Sequence, residues 1–113
     1  HGLQGKFAQD DEEVIDSARA CYTSLSSEVD DAVLPAFSSG QWAGTVPATW
    51  NAIGRDDLLF MPAGAILAHP GGAAAGVTSL RQAWAAVRAG TPLEDASRNA
   101  PELAAALRFF SGK

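Results

Sequence analysis

The segment DLLFMPAGAILAHPGG, residues 57–72, decides the fold expected for this 113-residue chain. It opens with a short apolar strand, residues 58–60, passes through small residues and a His-Pro step, and ends in a glycine pair before a long helix. Small residues ahead of a helix N-terminus leave backbone N–H groups open to an anion, which the helix dipole favours. The pattern is typical of a phosphate site, although most such loops serve only as turns.

Composition and charge limit the functional classes. The chain is 47% hydrophobic with a formal charge of −5, so an anionic nucleic acid or membrane surface would repel it on average, and we expect neither as a partner. A single cysteine, Cys21, allows no internal disulfide and favours a reducing, cytoplasmic location. No apolar run approaches the ~20 residues of a membrane span. Because the first residue is His1, we expect the natural N-terminus to lie upstream.

The first third of the chain predicts one amphipathic helix. Asp10 is a suitable N-cap, and Glu13 stands at the capping-box position. Val14, Ala18 and Cys21 fall on one apolar stripe, which places Cys21 in the core. The acids of residues 10–13 point in several directions from one helical turn, so they suit a charged first turn better than a metal site.

Two strands and two further helices follow. Residues 32–37 (AVLPAF) predict a buried strand with Pro35 near its end or at a bulge. After a small polar turn, residues 38–44, a helix is expected from the cap Thr45 to Gly54. Beyond the strand at 58–60, the apolar spacing predicts a helix from about residue 73 to residue 89, ended by Gly90.

The C-terminal part carries two more helix starts. Residues 91–94 (TPLE) and 99–102 (NAPE) both read as capping boxes with proline at the first helical position. The last helix carries an apolar stripe that includes Leu103, Ala106 and Phe110. The predicted order is therefore helix, strand, helix, strand, helix and two terminal helices.

This order makes a parallel βαβ unit that is short of sheet. Two strands separated by a helix pair in parallel through a right-handed crossover, and two parallel strands alone do not make a stable sheet. We therefore expect a piece of a larger α/β barrel or doubly wound fold, and aggregation or a molten state if the piece is expressed alone. In barrels the functional loops follow the strand C-termini, here residues 38–44 and 61–72.

Three stretches, in order, resemble the rubisco large subunit family. GLQGKF near the start is similar to the mobile sixth barrel loop, LPAFSSGQWAGTVPATW to the seventh strand and its loop, and residues 57–76 to the eighth strand and loop. The chain thus resembles the C-terminal segment of the catalytic (β/α)8 TIM barrel, from loop 6 through helix 8 and the terminal helices, most closely in rubisco-like proteins (form IV). The resemblance implies that residues 1–113 are a partial catalytic domain, with the N-terminal domain and first barrel strands missing.

The resemblance assigns residue roles. Lys6 occupies the place of the loop-6 lysine that reaches the substrate, and its ammonium would stabilise charge on an enolate or carboxylate oxygen. Ser38, Ser39 and Gly40 fall in the seventh-strand motif that contacts sugar and phosphate. Ala63 and Gly64 fall in the eighth-strand phosphate loop. Without the family, Lys6 is a solvated loop lysine and residues 38–40 are a plain turn.

Two departures from the family bear on function. The family's glycine triplet stands here as Ala63-Gly64-Ala65, so phosphate contact requires negative φ at both alanines. The magnesium motif of carbamylated lysine, aspartate and glutamate is absent, since the only lysines are Lys6 and Lys113. The magnesium that the resemblance implies would need ligands upstream of this chain.

Two functional hypotheses follow. The first is the C-terminal segment of a rubisco-like enzyme that converts a sugar phosphate through a magnesium-stabilised enediolate by enolisation, isomerisation or decarboxylation, most similar to proteins of branched-sugar-acid breakdown, and homo-oligomeric when full-length. The segment alone should be inactive. The alternative is a truncated or degenerate relative that serves as a binding or assembly module, supported by the altered loop 62–65. His69 and the three tryptophans are expected to be structural rather than catalytic, although Trp42 lies on a loop of the functional side, where it could form a wall of the substrate site.

Overall fold

The computed structural model describes residues 2–4, 10–22, 35–38, 40–55 and 57–111. The elements follow in the order α1 (Asp11–Cys21), β1 (Ala36–Phe37), a 3₁₀ turn (Ala43–Thr45), α2 (Val46–Ile53), β2 (Leu59–Phe60), α3 (Ala63–Leu67), α4 (Ala73–Arg88), α5 (Leu93–Ser97) and α6 (Pro101–Phe110). The expected succession of helices and strands is present, and the 3₁₀ turn and α3 are additions to it.

The two strands form a parallel pair, as the sequence predicts. Ala36 lies opposite Leu59 and Phe37 opposite Phe60. The backbone N–H of Leu59 donates to the carbonyl of Pro35 at 2.9 Å, so the proline accepts a ladder bond and needs to donate none. The predicted strands are longer than the observed ones; residues 32–34 of the first lie outside the described residues.

Helix α1 begins where its acidic turn predicts. The Asp10 carboxylate accepts from the N–H of Glu12 at 3.2 Å, so the bond runs to Glu12 and the expected box with Glu13 is not formed among the described residues. Val14 and Ala18 are buried. Cys21 is only half-buried, because its place on the stripe falls in the last turn, and its Sγ contacts the carbonyl of Ser17 at 3.4 Å.

Helices α2 and α4 end at the glycines that the sequence indicates. Gly54 follows α2 with φ 71° and Gly90 follows α4 with φ 72°, both left-handed conformations that glycine adopts without a side-chain penalty. Pro47 lies in the first turn of α2, where a missing N–H costs nothing. Thr45 holds the N-cap position, but its side chain makes no capping bond.

Helix α3 corrects the expectation that residues 61–72 are a plain loop. Its sequence, AGAIL, is built mainly from good helix formers, and Pro62 stands at its N-cap position. Helix α3 packs on α4 at Gly76, where a Cβ atom would lie 2.6 Å from the carbonyl oxygen of Ile66. A helix of five residues is far below the length that is stable alone, so this packing accounts for it.

Both predicted C-terminal capping boxes are wrong. Pro92 and Ala100 hold the N-cap positions of α5 and α6, and neither side chain can accept a capping bond. Pro101 does stand at the first helical position of α6, as expected. Each helix thus begins one residue later than its predicted box, and Pro92, expected at the first helical position of α5, stands at its N-cap instead.

The core has two parts. Buried residues of the 3₁₀ turn, α2, α4 and α6 form the larger cluster, and Leu3, Val14, Ala18 and Phe37 form the smaller one. Phe60 of β2 bridges them, and its ring meets that of Trp84 edge-on with centroids 5.5 Å apart. In the described part of the chain no helix is both long and apolar enough to cross a membrane.

Candidate functional site at the carboxyl edge of the strand pair

The two strands end at the same level. Because Phe37 and Phe60 are register partners in a parallel pair, both chains leave the sheet at the same edge. The N–H of Met61 still donates to the carbonyl of Phe37 at 2.8 Å, one residue beyond β2. The loop that begins at Ser38 and the loop that begins at Met61 therefore start side by side, which is the arrangement expected from the sequence.

The first loop presents a glycine that its backbone requires. Ser38 is half-buried directly after β1, and Gly40 is exposed with φ 71°. A residue with a Cβ atom is strained at that angle, so glycine is favoured there. Ser39 lies outside the described residues. In the part of the chain that is described, the Gly40 N–H donates no hydrogen bond and stays open to a ligand.

The second loop presents open amides. Ala63 and Gly64 are exposed in the first turn of α3, where no helical carbonyl lies four residues back. Among the described residues their N–H groups donate no hydrogen bond; the first amide of α3 that does so is that of Ile66, to the carbonyl of Pro62 at 3.0 Å. No described residue other than glycine except Gln4 has a positive φ. The alanines at 63 and 65 therefore meet the condition set for phosphate contact.

Gln41 joins the first loop to the N-terminal segment, a role that the sequence did not predict. Its side chain is 3% exposed. The Nε2 group donates to the carbonyl of Leu3 at 3.1 Å, and Oε1 lies 3.1 Å from the Thr45 hydroxyl. Gln41 directly follows Gly40, which has a positive φ. A side-chain amide beside a tight turn was the one feature of the sequence that could have indicated this role. Its partner Leu3 is 38 residues away, so sequence spacing could not reveal the bond.

Lys6, the predicted catalytic residue, lies outside the described residues. The described chain stops at Gln4, whose N–H donates to Oδ1 of Asp11 at 3.2 Å. Leu3, three residues before Lys6, is buried and bonded to Gln41 beside the first loop.

His69 is structural, as predicted. It is 5% exposed, and both ring nitrogens lie 2.9 Å from backbone groups, the N–H of Gly71 and the carbonyl of Glu102. A histidine whose two ring nitrogens are both hydrogen-bonded to the backbone has no free nitrogen to accept a proton from a substrate. It is therefore no candidate for a general base.

Trp42 belongs to the first loop, but its ring packs into the helical layer. Its ring packs on Phe110 with centroids 5.8 Å apart and lines a groove of about 710 Å³ between α2, α4 and α6. Trp50 lines the same groove. None of the residues predicted to bind substrate lines it. The tryptophans thus serve the helical layer, as expected.

An ion pair marks the opposite edge of the strand pair. The guanidinium of Arg55 donates from Nε to Oδ1 of Asp57 at 2.8 Å and lies over the ring of Tyr22, 3.8 Å from its centroid. The hydrogen bond from Arg55 lowers the pKa of the Asp57 carboxyl. Because Asp57 precedes β2, this pair stands at the amino edge of the strands, away from the two loops.

The described residues do not fit a metal site. They include no group of three His, Cys, Asp or Glu side chains that could hold an ion. Magnesium prefers oxygen ligands in octahedral geometry, usually including carboxylates. Any magnesium ligands of the complete enzyme would therefore have to come from outside the described part of this chain.

A parallel βαβ unit whose two loops leave the sheet side by side at its carboxyl edge belongs to the α/β class of folds, in which ligands generally bind at that edge. Residues 7–110 match the family described as ribulose bisphosphate carboxylase large chain, catalytic domain. The chain belongs to that family.

The similar proteins include both rubisco-like proteins and rubisco itself. A 3-oxo-isoapionate-4-phosphate decarboxylase of Rhizobium etli is 44% identical over 112 residues, which are 98% of this chain and 27% of that protein. The crystal structure of a rubisco-like protein from Burkholderia fungorum is 68% identical with a TM-score of 0.92, over 96% of this chain and 27% of that one.

An octameric rubisco from Pyrococcus horikoshii, crystallised with sulfate ion, is 30% identical with a TM-score of 0.84 over 95% of this chain and 24% of that one. The chain thus spans about a quarter of the length of the proteins it matches.

Proposed function

We propose that this chain is the C-terminal barrel segment of a rubisco-like enzyme and provides the part of its active site that holds the phosphate of a sugar phosphate. The observation that carries the proposal is the register of β1 and β2, which places the open amides of Gly40 and Gly64 on neighbouring loops. Backbone N–H groups pointing from two loops suit the oxygens of one phosphate. Ser38 and Ser39 would add hydroxyl contacts to the sugar, and Ala63 a further amide.

The specific reaction that we propose is decarboxylation of a 3-oxo acid that carries a phosphate, as the name of the Rhizobium etli relative, 3-oxo-isoapionate-4-phosphate decarboxylase, suggests. In that reaction the C–C bond to the carboxylate breaks and CO₂ leaves. The electron pair of the broken bond passes to the neighbouring ketone as an enolate, which then takes up a proton. Lys6 would offer its ammonium to the developing oxyanion, a role worth several kcal/mol when the donor is preorganised.

The whole protein is proposed to be a longer, homo-oligomeric enzyme in a reducing compartment. The Pyrococcus horikoshii relative is octameric, and the single cysteine supports the location. The segment alone should be inactive. Because the described residues include no group of three side chains that could hold an ion, magnesium enters this proposal only through residues outside them.

The alternative of a non-catalytic module loses its main steric support. It rested on Pro62, Ala63 and Ala65. Both alanines have the negative φ that leaves their N–H groups usable, and Pro62 stands at the N-cap position of α3. The altered loop is therefore compatible with binding.

The test uses the full-length protein and 3-oxo-isoapionate 4-phosphate, with CO₂ release as the readout. We expect Lys6→Ala to lower kcat by about 10²–10³, and Gly40→Ala to raise KM with a smaller effect on kcat, since the phosphate does not react. Arg98→Ala, at an exposed residue that ends α5, is the matched control. Equal turnover of wild type and Lys6→Ala would remove Lys6 from the mechanism, and absence of sugar-phosphate binding by wild type would refute the proposed function.

A further inference from the structure

His69 connects the loop after β2 to the first turn of α6. Nδ1 of the ring accepts a hydrogen bond from the N–H of Gly71, two residues on. Nε2 lies 2.9 Å from the carbonyl oxygen of Glu102, 33 residues on. Since Nδ1 accepts and a carbonyl can only accept, these partners assign the hydrogen to Nε2. The bond to Gly71 is therefore local, and the bond to Glu102 links the segment after α3 to the first turn of α6.

Helix α3 depends on contacts from outside itself. Its five residues are too few to be stable alone. The backbone of Ile66 packs closely against Gly76 of α4. A Cβ atom on Gly76 would lie 2.8 Å from the Cα atom of Ile66. The C-terminal end of α3 is followed directly by Ala68 and then by His69. Helix α3 is thus seated on α4 along one side and anchored to α6 at its end.

We propose that His69 is a positioning residue for phosphate binding. Through its bond to the carbonyl of Glu102 it fixes the end of α3, and α3 in turn sets where the amides of Ala63 and Gly64 stand beside the first loop. The inference rests on the proposed function. It adds that the long-range bond to Glu102 positions the amides for phosphate, whereas the local bond to Gly71 does not. Hydrogen bonds to phosphate depend steeply on distance and angle, so a small shift of α3 weakens binding.

Two replacements of similar shape separate the two bonds. Asparagine places its amide oxygen near Nδ1 and keeps an acceptor for Gly71, but does not reach Glu102. Glutamine places an N–H donor near Nε2 and keeps the bond to Glu102, but offers no acceptor to Gly71. For the full-length enzyme and 3-oxo-isoapionate 4-phosphate, we expect His69→Asn to raise KM about tenfold with kcat within about twofold. His69→Gln should keep KM close to the wild-type value.

A second readout needs no ligand. The amides of Ile66 and Ala68 donate to the carbonyls of Pro62 and Gly64, so their hydrogen exchange reports the order of α3. We expect exchange to be about tenfold faster in His69→Asn than in His69→Gln when both are compared at the same margin below their melting temperatures.

The positioning role is overturned if the two variants share one KM or exchange at the same rate. If the wild-type enzyme neither converts nor binds the sugar phosphate, the proposed function fails. The exchange comparison then still decides whether His69 holds α3.

Discussion

The side-chain amide of Gln82 caps a helix to which it does not belong. Its Oε1 accepts from the backbone N–H of Leu103 at 2.9 Å, and its Nε2 donates to Oε2 of Glu102 at 2.9 Å. Ala100 at the N-cap of α6 has no side-chain acceptor, so α4 supplies it. The N-terminus of α6 is therefore capped only when α6 is packed on α4.

Loss of this cap should loosen α6. In Gln82→Leu the N–H of Leu103 is left without a partner, which costs about 1–2 kcal/mol. We expect hydrogen exchange in the first turn of α6 to become about 5- to 30-fold faster in the full-length protein. Arg81→Ala, an exposed neighbour on α4, is the control and should leave α6 unchanged. Wild-type exchange rates in Gln82→Leu would show that the amide contributes nothing to α6.

The same contact predicts a pH effect. The hydrogen bond from Gln82 lowers the pKa of Glu102, with a smaller contribution from its own backbone N–H. A carboxyl whose pKa is lower in the folded than in the unfolded state stabilises the fold above the unfolded value, and the contribution is lost as the pH falls through the folded value. The stabilisation by ionised Glu102 is therefore lost as the pH falls below about 4.3, the ordinary pKa of glutamate.

The test compares the melting temperatures of wild type and Glu102→Gln at several pH values. Wild type should melt higher at pH 7, and the difference should shrink as the solution is acidified below that range. A difference that is constant with pH would show that ionised Glu102 does not stabilise the helix pair.

Gly76 should tolerate no side chain. In Gly76→Ala the new Cβ atom meets the backbone of Ile66 at 2.6–2.8 Å, so α3 must move or α4 must bend. We expect a loss of about 1–3 kcal/mol, as for overpacking elsewhere. Gly64→Ala is the matched control for stability, since a Cβ there meets nothing within 4 Å, and it should be neutral or slightly stabilising. Equal melting temperatures for the two variants would contradict the close contact.

Gln41 should anchor the N-terminal segment. In Gln41→Leu the buried carbonyl of Leu3 loses its donor, which costs about 1–3 kcal/mol. We expect limited proteolysis before residue 10 to become faster, while β1 and β2 keep their protection. Asn51→Leu, an exposed position on α2, controls for the change from an amide to an apolar side chain. An unchanged cleavage rate would mean that burial of Leu3 alone holds the segment.

Local signals in the sequence were sufficient for the main elements. The starts of α1 and α4 and the glycines after α2 and α4 were predicted to within a residue or two, because caps, apolar periodicity and left-handed glycines act between near neighbours. The parallel pairing of β1 and β2 followed from the intervening helix. The two loops of the candidate site were placed by the same argument.

The sequence by itself thus determined the order of elements, the shared edge of the two loops and the family resemblance. Only the tertiary structure decided that α3 forms, that Gln82 caps α6, and which distant backbone groups Gln41 and His69 bond. The partners of those three side chains lie 21, 38 and 33 residues away. Such bonds exist only after the helices have packed, because no local preference of an amide or imidazole specifies which distant backbone group it will meet.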